Sequence, residues 1–228
     1  MTTAPATAVA PLDWHNVDTV LLDMDGTLLD LYFDNHFWLE HLPRRYAESR
    51  RLTPEQARQQ LVDAFAAQRG TLNWYCLDYW SEQLQLDITA LKREVEHLIA
   101  IRPHVEDFLQ RLHASQREVW LVTNAHRKSL DLKLQRTGIG RWFDRLISSH
   151  DLLLPKEHPR FWAELRARHD FDPARTLLID DTATVLQSAQ RYGIRYLLTL
   201  LQPDSALPPR TQGDYHGILH FDEIMPPP

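Results

Sequence analysis

Glycine is scarce in this chain: seven residues in 228, against 14 prolines. Phosphate cradles built on glycine need it at fixed spacings. The nearest approach, Gly138 and Gly140, has Phe143 where the third glycine of a dinucleotide-binding turn would stand. With neither a Walker loop nor a GxGxxG turn, any phosphate must be held by another device. Cysteine is scarcer still. Cys76 is the only one, which excludes an intrachain disulfide and suits a cytoplasmic protein. Beside Tyr75 and Leu77 it reads as a small hydrophobe rather than a nucleophile. No apolar run approaches the ~20 residues of a membrane span, and Met1 to Asp13 has neither the basic nor the apolar region of a signal peptide. That stretch, residues 1–13, reads as a disordered tail. Basic charge is also in deficit, with 25 Lys and Arg facing 31 Asp and Glu for a net charge of −6. Affinity for a nucleic acid polymer needs clustered cations, so a polymer partner is excluded and small metabolites remain.

What is present is an alternation. Thr19 to Asp23, Glu118 to Thr123, Arg145 to Ser149, Thr176 to Asp180 and Ile194 to Leu198 are short aliphatic runs that predict buried strands. Between them, Val105, Phe108, Leu109 and Leu112 recur at helical spacing. So do Leu130 and Leu134, then Phe161, Trp162 and Leu165, then Val185, Leu186 and Ala189. Strand and helix in alternation predict an α/β fold with a parallel sheet covered on both faces. The pattern breaks once: residues 31–102 hold no convincing strand, but do hold a helix start at Thr53-Pro54-Glu55-Gln56. This predicts a helical cap inserted into a core formed by residues 14–30 and 103–228. The proline-punctuated stretch from Pro203 to Pro228 reads as a surface wrap.

The chemistry lies at the predicted strand ends, where open parallel sheets bind ligands. Asp23 and Asp25 follow the first strand, Thr123 and Asn124 the second, Lys156 the third, Asp180 and Asp181 the fourth. Two carboxylates ~4 Å apart repel by about 4 kcal/mol at an effective dielectric of 20, and a phosphate dianion adds to that repulsion. Four such acids with one lysine therefore call for a hard divalent cation, Mg²⁺ being the one that combines a few carboxylates with substrate phosphate.

The ordered set Asp23-Met24-Asp25-Gly26-Thr27-Leu28, Leu121-Val122-Thr123-Asn124, Lys156 and Ile179-Asp180-Asp181 resembles the four-motif signature of the haloacid dehalogenase-like hydrolases. The resemblance implies a Rossmann-like, doubly wound core with a cap between the first two motifs, and Mg²⁺ as cofactor. It further implies that Asp23 is the nucleophile and Asp25 the general acid and base. Thr123, Asn124 and Lys156 would receive the phosphoryl oxygens. Mg²⁺ would be held by the Asp23 carboxylate, the Asp25 carbonyl and a fourth-motif acid, with Asp181 favoured over Asp180. Dehalogenases of the family usually carry an apolar or aromatic residue in place of Asp25, so the acid here favours phosphoester hydrolysis. A third acid often found a few residues after the fourth motif is absent, since Thr182 to Gln187 contains none.

The aromatic block Thr71 to Trp80, with VDTVLLDMDGTLLDL before it and IDD and GIRY after it, is similar to bacterial GMP/IMP nucleotidases of that superfamily. This implies a phosphatase hydrolysing purine nucleoside 5'-monophosphates, with Trp74, Tyr75 and Asn73 as possible base contacts and Asp78 as a further one. Stacking on Trp or Tyr contributes on the order of 1–3 kcal/mol per base, although aromatics four apart also pack helices together. The core motifs equally suit a phosphatase for phosphoglycolate or a sugar phosphate, and a non-catalytic binding module is the remaining alternative. His216 and His220 have the spacing of a zinc pair without the accompanying Glu. Arg127 and Lys128 read as a solvated helix start.

Overall fold

The structure, a computed structural model, describes residues 12–227. Six strands, β1 (Thr19–Leu22), β2 (Glu118–Thr123), β3 (Arg145–Ser148), β4 (Thr176–Ile179), β5 (Tyr196–Leu200) and β6 (His216–Ile218), form one sheet in the order β3-β2-β1-β4-β5-β6. Every neighbouring pair is parallel. Successive strand residues face opposite sides. Val20 and Leu22 join the cluster holding Phe108, Leu109, Leu112 and Leu130 on one face. Leu21 joins Phe161, Trp162, Leu165, Val185 and Leu186 on the other. The order reverses at β1, which opens a crevice at the carboxyl ends of β1 and β4.

Within residues 31–102 lie helices α1 (Tyr32–His36), α2 (Leu42–Arg50), α3 (Pro54–Gln68), α4 (Leu77–Leu84) and α5 (Ile88–Glu94). A wide π turn, Phe37–His41, joins α1 to α2. The start of α3 is set by reciprocal bonds. The Gln56 N–H donates to Thr53 Oγ1 at 3.3 Å, and the Thr53 N–H donates to Gln56 Oε1 at 3.0 Å. The insertion leaves and rejoins the core side by side: the Asp30 N–H donates to Ala100 O at 2.9 Å and the Arg102 N–H to Leu28 O at 3.0 Å. The core then continues through α6 (Val105–Ala114), α7 (Arg127–Thr137), α8 (Ser149–Leu152), α9 (Phe161–Arg168) and α10 (Ala183–Tyr192). Among the described residues, no helix is long and apolar enough to cross a membrane.

Three expectations change. The fifth strand begins at Tyr196, not Ile194. Gly193, at φ +108°, turns the end of α10, and the Ile194 N–H is spent on Ala189 O at 3.1 Å. The C-terminal stretch is more than a wrap, since it supplies β6 and buries Ile218, Phe221 and Ile224. Most of the predicted tail, residues 1–11, lies outside the described residues. At its end, however, Leu12 packs on the core and the Asp13 carboxylate accepts the His15 N–H at 3.1 Å.

Candidate active site

Because Leu22 pairs with Ile179, Asp23 and Asp180 leave the sheet as neighbours. Lys156 lies between them, wholly buried. Its Nζ donates to Asp23 Oδ1 at 2.5 Å, Asp180 Oδ2 at 2.6 Å and Val122 O at 3.0 Å. Asp180 is further committed, its Oδ1 accepting the Thr182 N–H at 2.9 Å. Asp181 is freer, with the Thr182 hydroxyl at 3.2 Å and Arg210 at 3.8 Å. Gly26 makes room for it. At φ +79°, a Cβ there would lie 2.8 Å from Asp181 Cγ and 2.9 Å from its Oδ2. Thr123 ends β2, its Oγ1 accepting the Ala125 N–H at 3.0 Å.

Burial pushes the Asp23 carboxyl up to about 6, Lys156 offsetting part of the effect and Asp180 adding to it. Asp181 is pushed further, to about 8, by burial and then by Asp180 and Asp23. Asp180 is raised for the same first reason. Three buried acids, each offering an oxygen within 4.8 Å of the others, thus face a single lysine. An all-oxygen donor set with one carboxylate nearly uncommitted suits a hard divalent cation, whose charge would lower all three. The chemistry of this donor set therefore fits Mg²⁺.

Asp25 points elsewhere. Lys133 of α7 donates from Nζ to Asp25 Oδ1 and to Asp34 Oδ2, both at 2.6 Å, and Lys92 of α5 donates to Asp34 Oδ1 at 2.8 Å. Both lysines are buried, and the Lys92 Nζ also sits 4.7 Å from the Phe33 ring centre and 4.6 Å from that of Phe37. Burial raises the Asp25 carboxyl to about 6, against the pull of Lys133. Burial would raise Asp34 too, but Lys133 and Lys92 prevail and hold it down at about 2.

Above these groups opens a cleft of about 380 Å³, within the ~300–1,000 Å³ usual for small-molecule sites. Asp23, Asp25, Thr123, Asn124, Lys156, Asp180 and Asp181 all line it, as do Trp38, Phe65, Trp74, Tyr75 and Trp80. The Phe65 ring meets Trp38, Trp74 and Trp80 edge-on at 5.6, 6.1 and 4.9 Å. Trp38 rides on the π turn, a device that re-aims side chains at functional sites. Trp80 is sealed in packing, whereas Trp38 and Trp74 keep accessible faces. Tyr75 donates its hydroxyl to Glu157 Oε1 at 3.0 Å, while Asn124 Nδ2 donates to Glu157 Oε2 at 2.9 Å. This ties the insertion to the core.

Asn73 does not line the cleft. It is exposed, and its amide donates to Gln68 Oε1 at 3.1 Å, because the short helix Leu72–Tyr75 turns it outward. Asp78 is engaged by Lys128 at 2.5 Å, and Arg127 pairs with Asp151, so these charges lie along exposed seams. His216 is on β6, and His220 meets His104 edge-on at 5.9 Å instead of joining a metal pair. Cys76 is half-buried, its Sγ accepting the Tyr79 N–H at 3.4 Å. Sequence reasoning missed Asp34, Lys92, Lys133, Glu157, Trp38 and Phe65. Of these, only Glu157, next to Lys156, had a local signal.

Comparison with known proteins bears on this arrangement. A family model described as haloacid dehalogenase-like hydrolase matches residues 17–193. The chain is 40% identical over 213 residues to GMP/IMP nucleotidase YrfG of Escherichia coli K12, covering 93% of this chain and 96% of that one. Among solved structures, an HAD phosphatase from Thermococcus onnurineus superposes with a TM-score of 0.74 at 19% identity, over 91% of this chain and 96% of that one. The HAD-hydrolase YfnB of Bacillus subtilis, bound to magnesium, gives 0.60 at 21% identity over 91% and 96%.

Proposed function

The chain belongs to the haloacid dehalogenase-like hydrolases, and from that premise we propose that it hydrolyses purine nucleoside 5'-monophosphates, GMP and IMP, to nucleoside and phosphate. The observation that carries this reading is the single cleft in which a carboxylate and lysine floor faces an aromatic wall. The likeness to a GMP/IMP nucleotidase over nearly the whole chain supports it.

Asp23 attacks phosphorus in line, forming an aspartyl phosphate as the nucleoside oxygen leaves. Asp25, held by Lys133 with a carboxyl at about 6, donates a proton to that oxygen. The same group then takes a proton from the water that releases phosphate. The Thr123 hydroxyl, the Asn124 N–H and Lys156 receive the equatorial oxygens, and Lys156 is held for this by Asp180. Asp23, the Asp25 carbonyl and Asp181 are the residues to hold Mg²⁺, which when bound neutralises phosphate charge. Trp38 and Trp74 offer faces on which a purine can stack.

Phosphate release from IMP, GMP, AMP, pyrimidine nucleotides, phosphoglycolate and sugar phosphates, with Mg²⁺ and with EDTA, tests the proposal. IMP and GMP should lead the panel with Mg²⁺ and fall to background with EDTA; equal slow turnover of all esters refutes the purine assignment. Asp23→Asn should abolish turnover with the circular dichroism spectrum unchanged. Trp38→Ala and Trp74→Ala should raise KM for IMP by roughly 5- to 100-fold while sparing a small non-aromatic ester.

A further inference from the structure

A second cluster of metal-ligating side chains lies beside the cleft and takes no part in the chemistry above. Cys76 comes from the inserted helices, at the start of α4; His126 precedes α7 and His150 lies in α8. Each offers a ligand atom within 4.8 Å of the other two. The two imidazoles are set edge to face, 4.9 Å apart at 86°. Their hydrogen bonding is unusual. His126 Nδ1 and His150 Nε2 are buried with no partner among the described residues. The opposite nitrogens face polar groups, His126 Nε2 toward Asp78 Oδ2 at 3.7 Å and His150 Nδ1 toward Ser148 Oγ at 3.4 Å. Buried polar nitrogens are rarely left unpaired. Each ring thus has one nitrogen beside a polar group and one without a partner, and metal-bound histidines likewise spend one ring nitrogen on an outer acceptor and keep the other for the metal.

We propose that Cys76, His126 and His150 bind a borderline-soft divalent cation, zinc by its chemistry, and that the bound cation staples the insertion to the core. A thiolate and two imidazoles suit Zn²⁺ and not Mg²⁺, whereas the all-carboxylate group of Asp23, Asp180 and Asp181 has the reverse preference. Tetrahedral zinc with bonds of about 2.3 Å to sulfur and 2.0–2.1 Å to nitrogen sets its ligand atoms roughly 3.4–3.6 Å apart. The cluster, whose ligand atoms lie within 4.8 Å of one another, reaches this by closing no more than about 1.4 Å, a fourth position remaining for water. Since His126 also lines the cleft, the staple fixes the cleft closed and slows exchange of substrate and product. The cation site stands apart from the identity of the substrate; only the inhibition rests on the hydrolase reading.

Cobalt(II) added to the full chain in saturating Mg²⁺ provides the direct test. One equivalent should give visible ligand-field bands and a near-ultraviolet thiolate-to-cobalt band, displaced by zinc. Cys76→Ser, which keeps the acceptor for the Tyr79 N–H, should lose the thiolate band, and His150→Gln should weaken binding by roughly tenfold or more. A cobalt spectrum without that band, or one unchanged by Cys76→Ser, overturns the proposal. On the unmutated protein, zinc should slow alkylation of Cys76, the only thiol, and a chelator should restore it; an unprotected thiol overturns the proposal whatever the variants do. In phosphate release with excess Mg²⁺, zinc should inhibit the parent protein about tenfold more strongly than Cys76→Ser. Equal inhibition would place zinc on the carboxylate group and overturn the staple.

Discussion

Gly26 concentrates two demands at one position. Its φ of +79° is a conformation that an L side chain enters at a cost of about 1–2 kcal/mol, and its missing Cβ is the space Asp181 occupies. Gly26→Ala should therefore lower stability by at least about 1–2 kcal/mol in thermal or urea unfolding, the overlap with Asp181 adding to the cost of the dihedral angle. It should also displace the Asp181 carboxylate, and a misplacement of about an ångström costs on the order of 100-fold in kcat. An alanine variant as active as the parent would show that Asp181 has no fixed position. The scarcity of glycine in the sequence acquires meaning here: among the described residues no glycine-rich loop lines the cleft, and Gly26 clears space for a strand-end carboxylate. Asp23, Asp180 and Asp181 were legible because they follow buried aliphatic strands directly, where a charged side chain has no packing role, whereas Lys156 comes after α8 and was legible only from its order in the set of motifs. Lys133 was not legible, because it sits within the helical stripe of Leu130 and Leu134 and meets Asp25 from 108 residues away.

Among the elements, α1, α5 and α7 meet around the buried chain Lys92–Asp34–Lys133–Asp25. The Asp34 carboxyl lies at about 2 in the fold against 3.8 for an ordinary aspartate. Its contribution to stability is thus complete above about pH 4 and is lost as the pH falls toward 2. Asp34→Asn should cost about 3–5 kcal/mol at neutral pH, because Lys92 is left buried without its carboxylate. It should also flatten the acid limb of the stability curve between pH 4 and 2. Chemical unfolding across that range measures both, and an unchanged acid limb would remove Asp34 from the account of acid sensitivity. Local pattern predicted elements better than their exact ends. The capping box of α3 is written in adjacent residues, so it formed as read. The start of β5 depends on where α10 releases its last N–H groups, and β6 is three residues with a glycine in the middle, too short for a two-residue period to emerge.

For the molecule as a whole, the insertion supplies the aromatic wall and the core supplies the charged floor, and the two are joined by Tyr75 to Glu157 and by Lys133 to Asp34. Replacing residues 31–99 with a short Gly/Ser linker should leave a folded core, less stable than the parent, that still hydrolyses a small unhindered phosphate ester. Its preference for IMP over that ester should fall by roughly 5- to 100-fold, the loss of base stacking. Circular dichroism with a two-substrate kinetic comparison would decide this; an unfolded product would mean that the core needs the insertion to fold.

The paired bonds at the neck, Asp30 to Ala100 and Arg102 to Leu28, have a consequence for descent. The two ends of the inserted stretch are already abreast, so changing the length of chain between them alters the closure entropy by only about 0.6 kcal/mol per doubling. The neck can then accept a cassette of different length, provided the replacement also covers the core surface that Phe33, Phe37 and Leu42 now share with Leu22 and Leu28.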